Sequence, residues 1–282
     1  MKRFYKEVTI FASPLEGEAD FSRVSEKSVG GEVAPSDTPP RNSRREFRPS
    51  LKGRVNSVFV LLDGKPIKTP MRATLVLPTR TLAETVAEEW RGQGEKVAPE
   101  TMPLTKLANT AIDRVVGREE VVIGRILAYA NDLLCYRAES PADLVARQNA
   151  GWDPLLDWAA ERTGAQLLTR VGIVHIAQPE EAVEAFRNAL AQHDAFALTA
   201  VHSAATICGS LVLALALAEG RLDAEEAFAL SHLDERYQAE KWGTDGEAEK
   251  RARALAAELD AAARFMRCAR DQFEVPLSGK QP

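Results

Sequence analysis

Of 282 residues only three are cysteine and four are histidine, and neither set has the spacing that metal or redox chemistry needs. Cys135, Cys208 and Cys268 lie far apart, are odd in number and form no CxxC pair. That pattern argues against a short-range zinc or dithiol site and reads as reduced thiols in a reducing compartment. None of His175, His193, His202 and His232 has Glu three residues before it, and no HExxH occurs. The ligand patterns of di-iron bundles and zinc proteases are therefore missing, no metal is assigned, and each histidine reads as a surface or satisfied core residue.

Nucleophile and phosphate motifs are lacking too. There is no GxSxG and no GxGxxG, and Gly64-Lys65-Pro66 has neither the upstream glycine nor the Ser/Thr of a P-loop. Ser231 and His232, on adjacent helical positions, diverge by about 100° and form no local nucleophile and base. Cys208-Gly209-Ser210 lies in the longest apolar run, 207–218, which reads as a core helix burying an inert thiol. That run is twelve residues long, against the roughly 20 needed to cross a bilayer, so no membrane insertion is expected. A net charge of -5 argues against a duplex nucleic-acid binder, which needs a basic face. The N-terminus has no apolar core of a secretion signal. No catalytic residue and no cofactor is assigned.

What the sequence does contain is the material of two folded regions. Composition is globular, with 45% hydrophobic and 27% charged residues. A strand-like start leads into residues 13–53, rich in Ser, Pro, Gly and charge, which bury too little apolar surface to offset ordering and read as a mobile insertion. The stretch 55–62 (VNSVFVLL), the Asp63-Gly64 turn and Pro66-Ile67-Lys68-Thr69 predict a hairpin, and 73–77 a further strand. Thr81-Leu82-Ala83-Glu84 has capping-box spacing before a helix through Trp90, with Leu82, Val86 and Trp90 on one face.

From about Arg118 the pattern turns alanine-rich and helical, with starts at Ser140-Pro141, Gln178-Pro179, Asp223-Ala224-Glu225-Glu226 and Thr244-Asp245-Gly246-Glu247, and stops at Gly220 and Gly243. One helix is expected to run from Asp223 to beyond Glu240. The β-branched piece 166–177 predicts a strand or hairpin inside this half. The expected fold is α+β and multidomain: a small N-terminal α/β domain with antiparallel strands (1–117), a larger C-terminal all-α orthogonal bundle (118–275) and a tail (276–282). Trp90 and Trp152 read as core or domain-interface residues. No heptad seam demands a permanent partner, so a monomer or weak dimer is expected.

The most distinctive passage is 233–249, an acidic helix end, a turn and a second acidic helix start. It reads either as a solvated helical hairpin with capping carboxylates or as an acidic, aromatic-bearing surface for a partner. Near the end of a helix the macrodipole disfavours a carboxylate, so Glu240 is not explained by stability alone.

Eight ordered blocks carry a resemblance. They are Arg3-Phe4-Tyr5-Lys6; Leu62-Asp63-Gly64-Lys65-Pro66-Ile67-Lys68-Thr69-Pro70; Glu88-Glu89-Trp90 with Gln93; and Met102-Pro103-Leu104-Thr105 running into Asn109-Thr110-Ala111-Ile112-Asp113. Then come Asp132-Leu133-Leu134-Cys135-Tyr136-Arg137; Gln148 with Trp152-Asp153-Pro154-Leu155; Gly209-Ser210-Leu211; and the passage 234–249. Together they resemble the assembly chaperones of the ATP synthase α subunit, the F-type ATPase assembly factor 2 family.

The resemblance implies a non-catalytic chaperone that binds free α subunit, keeps it soluble and delivers it for assembly of the catalytic head. It points to Glu240 as functionally required, in a partner-binding set with Asp234, Glu235, Trp242, Asp245 and Glu247. The insertion 13–53 departs from the family pattern. A chain starting almost at the Arg3-Phe4-Tyr5-Lys6 block fits a bacterial, cytoplasmic member. The rival reading is an enzyme whose site is built from dispersed residues such as Asp113, Asp132, Arg137 and Trp152.

Overall fold

The computed structural model describes residues 2–13 and 57–270. The expected insertion, apart from Ser13 at its edge, and the expected tail lie outside the described residues. Four strands make an antiparallel sheet: β1 (Val8–Ser13), β2 (Ser57–Leu62), β3 (Lys65–Pro66) and β4 (Val76–Leu77). β1 runs along the whole of β2, from Val8 opposite Leu62 to Ser13 opposite Ser57. The other edge of β2 is shared, with Leu61 and Leu62 facing β3 and Val58 and Phe59 facing β4. Asp63 and Gly64 both take positive φ at the turn, the conformation that the Asp-Gly pair supplies at low cost.

Helix α1 (Arg80–Arg91) buries Leu82, Ala83 and Val86 against this sheet. Its cap is Thr79, whose hydroxyl accepts from Leu82 N at 3.1 Å, not the expected Thr81. The first turn lies two residues earlier because Pro78 stops the strand and leaves Thr79 extended, as an N-cap requires. Helix α2 (Pro103–Thr110) follows and runs into a π-helical turn, Ala111–Val115. The chain then turns at Gly117, φ +73°, into the helices of the second half.

These are α3 (Glu119–Ile126), α4 (Ala142–Thr163), α5 (Glu180–Leu190), α6 (Ala195–Cys208), α7 (Leu211–Glu219), α8 (Ala224–Ser231), α9 (Leu233–Trp242) and α10 (Gly246–Arg270). Helix α7 is apolar all round and buried on every side from Leu211 to Ala218, the pattern of a helix at the centre of a core. Trp152 of α4 is 1% exposed, and its indole donates to Leu230 O at 3.0 Å. Gly151 beside it lets α8 approach, because a Cβ there would meet Leu230 Cδ2 at 2.8 Å. Trp90 is partly buried and meets the Tyr5 ring edge-on at 5.5 Å. The apolar core is continuous from Tyr5 to Ala269, and α10 reaches the first half, where Thr79 Oγ1 donates to Cys268 O at 2.5 Å.

Three expectations for the helical half are corrected. The apolar run 207–218 is two helices, because Gly209 adopts φ +61° to close α6 and Ser210 starts α7 by accepting from Leu213 N at 3.0 Å. The helix after Asp223, which opens with a capping box between Asp223 and Glu226, ends at Ser231. His232 leaves the helical region (φ -113°, ψ 29°), and α9 starts afresh. That break also turns Ser231 and His232 toward each other, with Oγ 2.9 Å from Nδ1. Both atoms also lie within hydrogen-bond distance of Phe228 O, so the pair closes the end of α8. The piece 166–177 does hold a strand, as expected, but a short one: Arg170–Val171 (β6), paired parallel to β5 (Tyr136–Arg137).

Candidate functional site

Between Leu233 and Glu249 the chain carries six carboxylates and two cations. The structure places this passage as α9, a turn at Gly243 and the start of α10, and it makes an arm. Residues 241–250 are all exposed, and along α10 the first buried side chain is Leu259. Trp242, at the tip, is 79% exposed. An exposed large aromatic on a charged arm is the chemistry of an interface anchor.

Tyr237 alone of α9 is buried, and it seats the helix on the first turns of α4. Its hydroxyl donates to Asp143 Oδ1 at 2.8 Å, and Lys241 Nζ lies 3.4 Å from Asp143 Oδ2. Arg147 and Lys241 both stand over the Tyr237 ring, 5.1 Å from its centre. The hydrogen bond from Tyr237 holds the Asp143 carboxyl below its ordinary range, and desolvation followed by Asp143 raises the phenol. Glu240 Oε2 meets Arg147 Nη1 at 2.7 Å, and the Glu240 contact raises the guanidinium. Asp234 accepts from Gln148 Nε2 at 2.7 Å, while Gln148 Oε1 accepts from Ala138 N at 2.7 Å. The fully buried Gln148 thus joins α9 to the strand β5 that precedes α4.

Glu240 and Asp234 therefore face α4, while Glu235, Trp242, Asp245 and Glu247 face water. Asp245 Oδ1 accepts from Glu247 N at 3.3 Å, so Asp245 contributes to the start of α10, where the helix field favours its charge. The expectation that stability gives no reason for Glu240 is corrected, because Arg147 supplies one. Both side chains are about half exposed (46% and 51%), however, and solvent screening leaves such a pair a small contribution to stability. Sequence reasoning missed Asp143, Arg147, Tyr237 and Lys241. The i,i+4 spacing of Asp143 and Arg147 marked one face of α4, but nothing local said that α9 would cover it.

None of the four residues of the rival enzyme reading lines either of the two open cavities described below, and only Arg137 and Trp152 are in contact. Asp113 accepts from Thr69 Oγ1 at 2.6 Å and Met71 N at 3.1 Å, fixing a loop of the first half. Asp132 is completely buried and accepts from Leu134 N and Val212 N at 3.0 and 2.9 Å, stapling the start of α7. Burial pushes its carboxyl up to about 6, against the pull of those amides. Arg137 pairs with Asp153 at 2.7 Å and lies over the Trp152 ring. Two open cavities, of about 700 and 510 Å³, are lined by other residues, around Gly220 and His193 respectively. Burial raises the Cys135 and Cys208 thiols to about 12 and 11, so neither is a thiolate at neutral pH.

The passage is thus a charged arm, held on α4 at its base and carrying an exposed aromatic at its tip. The chain matches the family described as ATP12 chaperone protein over residues 47–160. It is similar to the crystal structure of Atp12 from Paracoccus denitrificans, with TM-score 0.76 and 37% identity over 95% of this chain and 98% of that one. A protein of Agrobacterium tumefaciens is 45% identical, with TM-score 0.72 over 75% of this chain and 80% of that one. The mitochondrial protein atp12 of Schizosaccharomyces pombe is 27% identical over 220 residues, 73% of this chain and 76% of that protein. The chain belongs to the ATP12 chaperone family, and it is a chaperone and not an enzyme.

Proposed function

We propose that this chaperone binds the unassembled α subunit of an F-type ATP synthase, keeps it soluble and hands it on for assembly of the catalytic head. The observation that carries the reading is the α9–α10 arm, with Trp242 79% exposed at its tip and its base fixed to α4 by Tyr237, Glu240 and Asp234. An anchored acidic surface presents its charge without ordering loose side chains on binding, which favours specific capture of a partner with basic and apolar patches. The partner-binding set in this reading is Glu235, Trp242, Asp245 and Glu247, which face water, together with Glu240 and Asp234, which hold the arm on α4. Glu240 sets the position of the arm through Arg147, and Trp242 supplies the apolar contact.

The protein acts as a monomer in the cytoplasm of a bacterium, in two regions meeting near residue 117. No helix among the described residues is long and apolar enough to cross a membrane. The test is a pull-down with tagged chaperone from cells making the synthase. Free α subunit is expected to copurify and the finished synthase to lack the chaperone. Recovery of the chaperone in the finished synthase, or of no α subunit, contradicts the reading.

A further inference from the structure

Apolar side chains left in water are unevenly distributed. Among the described residues nine large hydrophobics are exposed, and four of them, Leu168 (48%), Val171 (59%), Ile173 (96%) and Val174 (61%), fall within seven consecutive positions. Single exposed apolar residues need no explanation, whereas a run of them marks an interaction surface.

The backbone of this segment is pinned at its ends and open in the middle. Gln178 holds Leu168 from both sides, its Oε1 accepting from Leu168 N at 2.8 Å and its Nε2 donating to Leu168 O at 3.0 Å. Gly172 N donates to Arg137 O at 2.8 Å, and Ile176 N to the Tyr136 hydroxyl at 3.3 Å. Between these points no hydrogen bond among the described residues engages the backbone of Ile173, Val174 or His175. β6 pairs with β5 alone, so its other edge is open. An open edge beside exposed apolar side chains is a template for an added strand.

Charge and position narrow the occupant. Residues 163–179 contain no carboxylate and include Arg170 and His175, so a strand bearing carboxylates is favoured over a basic one. β5 lies along the same turn of α4 that seats the acidic arm. Arg137 bonds Asn149 and Asp153, and Gln148 links Ala138 to Asp234. A client held by the arm therefore has this segment within reach on the same support, and its basic patch and its acidic strand would meet opposite charge.

We infer that residues 168–174 are a docking site for an extended, apolar, carboxylate-bearing segment of the unassembled client, added at the open edge of β6. The inference rests on the chaperone reading above, and its test separates the two. Hydrogen exchange of the full chain is followed alone, with purified α subunit, and with reduced, carboxymethylated α-lactalbumin, an acidic chain that stays unfolded. The amides of 173–175 are expected to exchange fast in the free chaperone and to slow on adding α subunit. The triple variant Val171→Ser, Ile173→Ser, Val174→Ser is expected to melt like wild type and to bind about tenfold more weakly or worse.

Slowing by α-lactalbumin with no binding of α subunit keeps the docking site and removes the client reading. Binding of α subunit without slowing at 173–175, or no slowing with either probe, overturns the inference. So does protection already present in the free chain, or protection that grows with chaperone concentration alone, because the segment is then covered by this chain or by a second copy.

Discussion

Helices α7 and α9 are nearly equal in length and opposite in construction. α7 buries every residue from Leu211 to Ala218, and its N-terminal amides are met by Ser210 and by the buried Asp132. α9 buries only Tyr237, packs Leu233 partly against the core at its start, and is otherwise held by hydrogen bonds and half-exposed ion pairs to α4. The first is attached by apolar area, which favours the folded state strongly and carries no message to a partner. The second is attached by polar contacts of small net worth, which fix geometry and leave a charged face in water. On the proposed function, stability and recognition fall to different helices, and changes in each should be felt in different assays.

The largest effect is expected in the core that supports α7 and α8. Trp152→Ala removes a fully buried ring and its bond to Leu230 O and should destabilise by about 3–5 kcal/mol in chemical denaturation. A loss under about 1 kcal/mol would show that the core does not depend on this side chain.

Next comes Asp132, whose folded value of about 6 lies above its ordinary 3.8. A carboxyl raised on folding contributes stability that is fully present below the unfolded value and is lost as pH rises through the folded one. Wild-type stability measured against Asp132→Asn should therefore fall by roughly 3 kcal/mol between about pH 4 and pH 7. A difference that stays flat or grows with pH contradicts this assignment.

On the arm the stability effects shrink. Arg147→Ala should cost little stability, since its partner Glu240 is half exposed and the pair is screened by solvent, while releasing the end of α9. Faster hydrogen exchange in 237–242 with an almost unchanged melting point is the expected signature. Trp242→Ser should change stability by no more than about 0.5 kcal/mol and still weaken client binding. A large loss of stability would place Trp242 in a packed core and blur the contrast between the two helices.

Much of this contrast was legible in the residues. Pro141, Pro179 and Asp223 marked helix starts, and the acidic passage 233–249 stood out by charge. What stayed hidden depends on contacts distant in sequence. Gly209 and Ser210 break an apolar run whose two halves are both core, so periodicity carried no sign of the break. The stop at His232 has no proline or glycine to announce it, and the new pairing of Ser231 with His232 follows from that stop. Arg147 finds Glu240 across 93 positions, a contact that only the packing of α9 on α4 creates. The piece 166–177 was expected as a strand or hairpin, yet only Arg170 and Val171 pair, and the unpaired remainder is what gives the segment its proposed use.

The division of labour is tested most directly by Glu240→Lys. The substitution sets a cation beside Arg147 and Lys241 at the surface and leaves α7, Trp152 and the rest of the core untouched. Melting temperature and the yield of soluble α subunit on co-expression are measured on the same protein. The variant is expected to melt close to wild type and to leave the α subunit largely insoluble. A variant that melts like wild type and still keeps the α subunit soluble and competent for assembly would contradict the assignment of recognition to the arm.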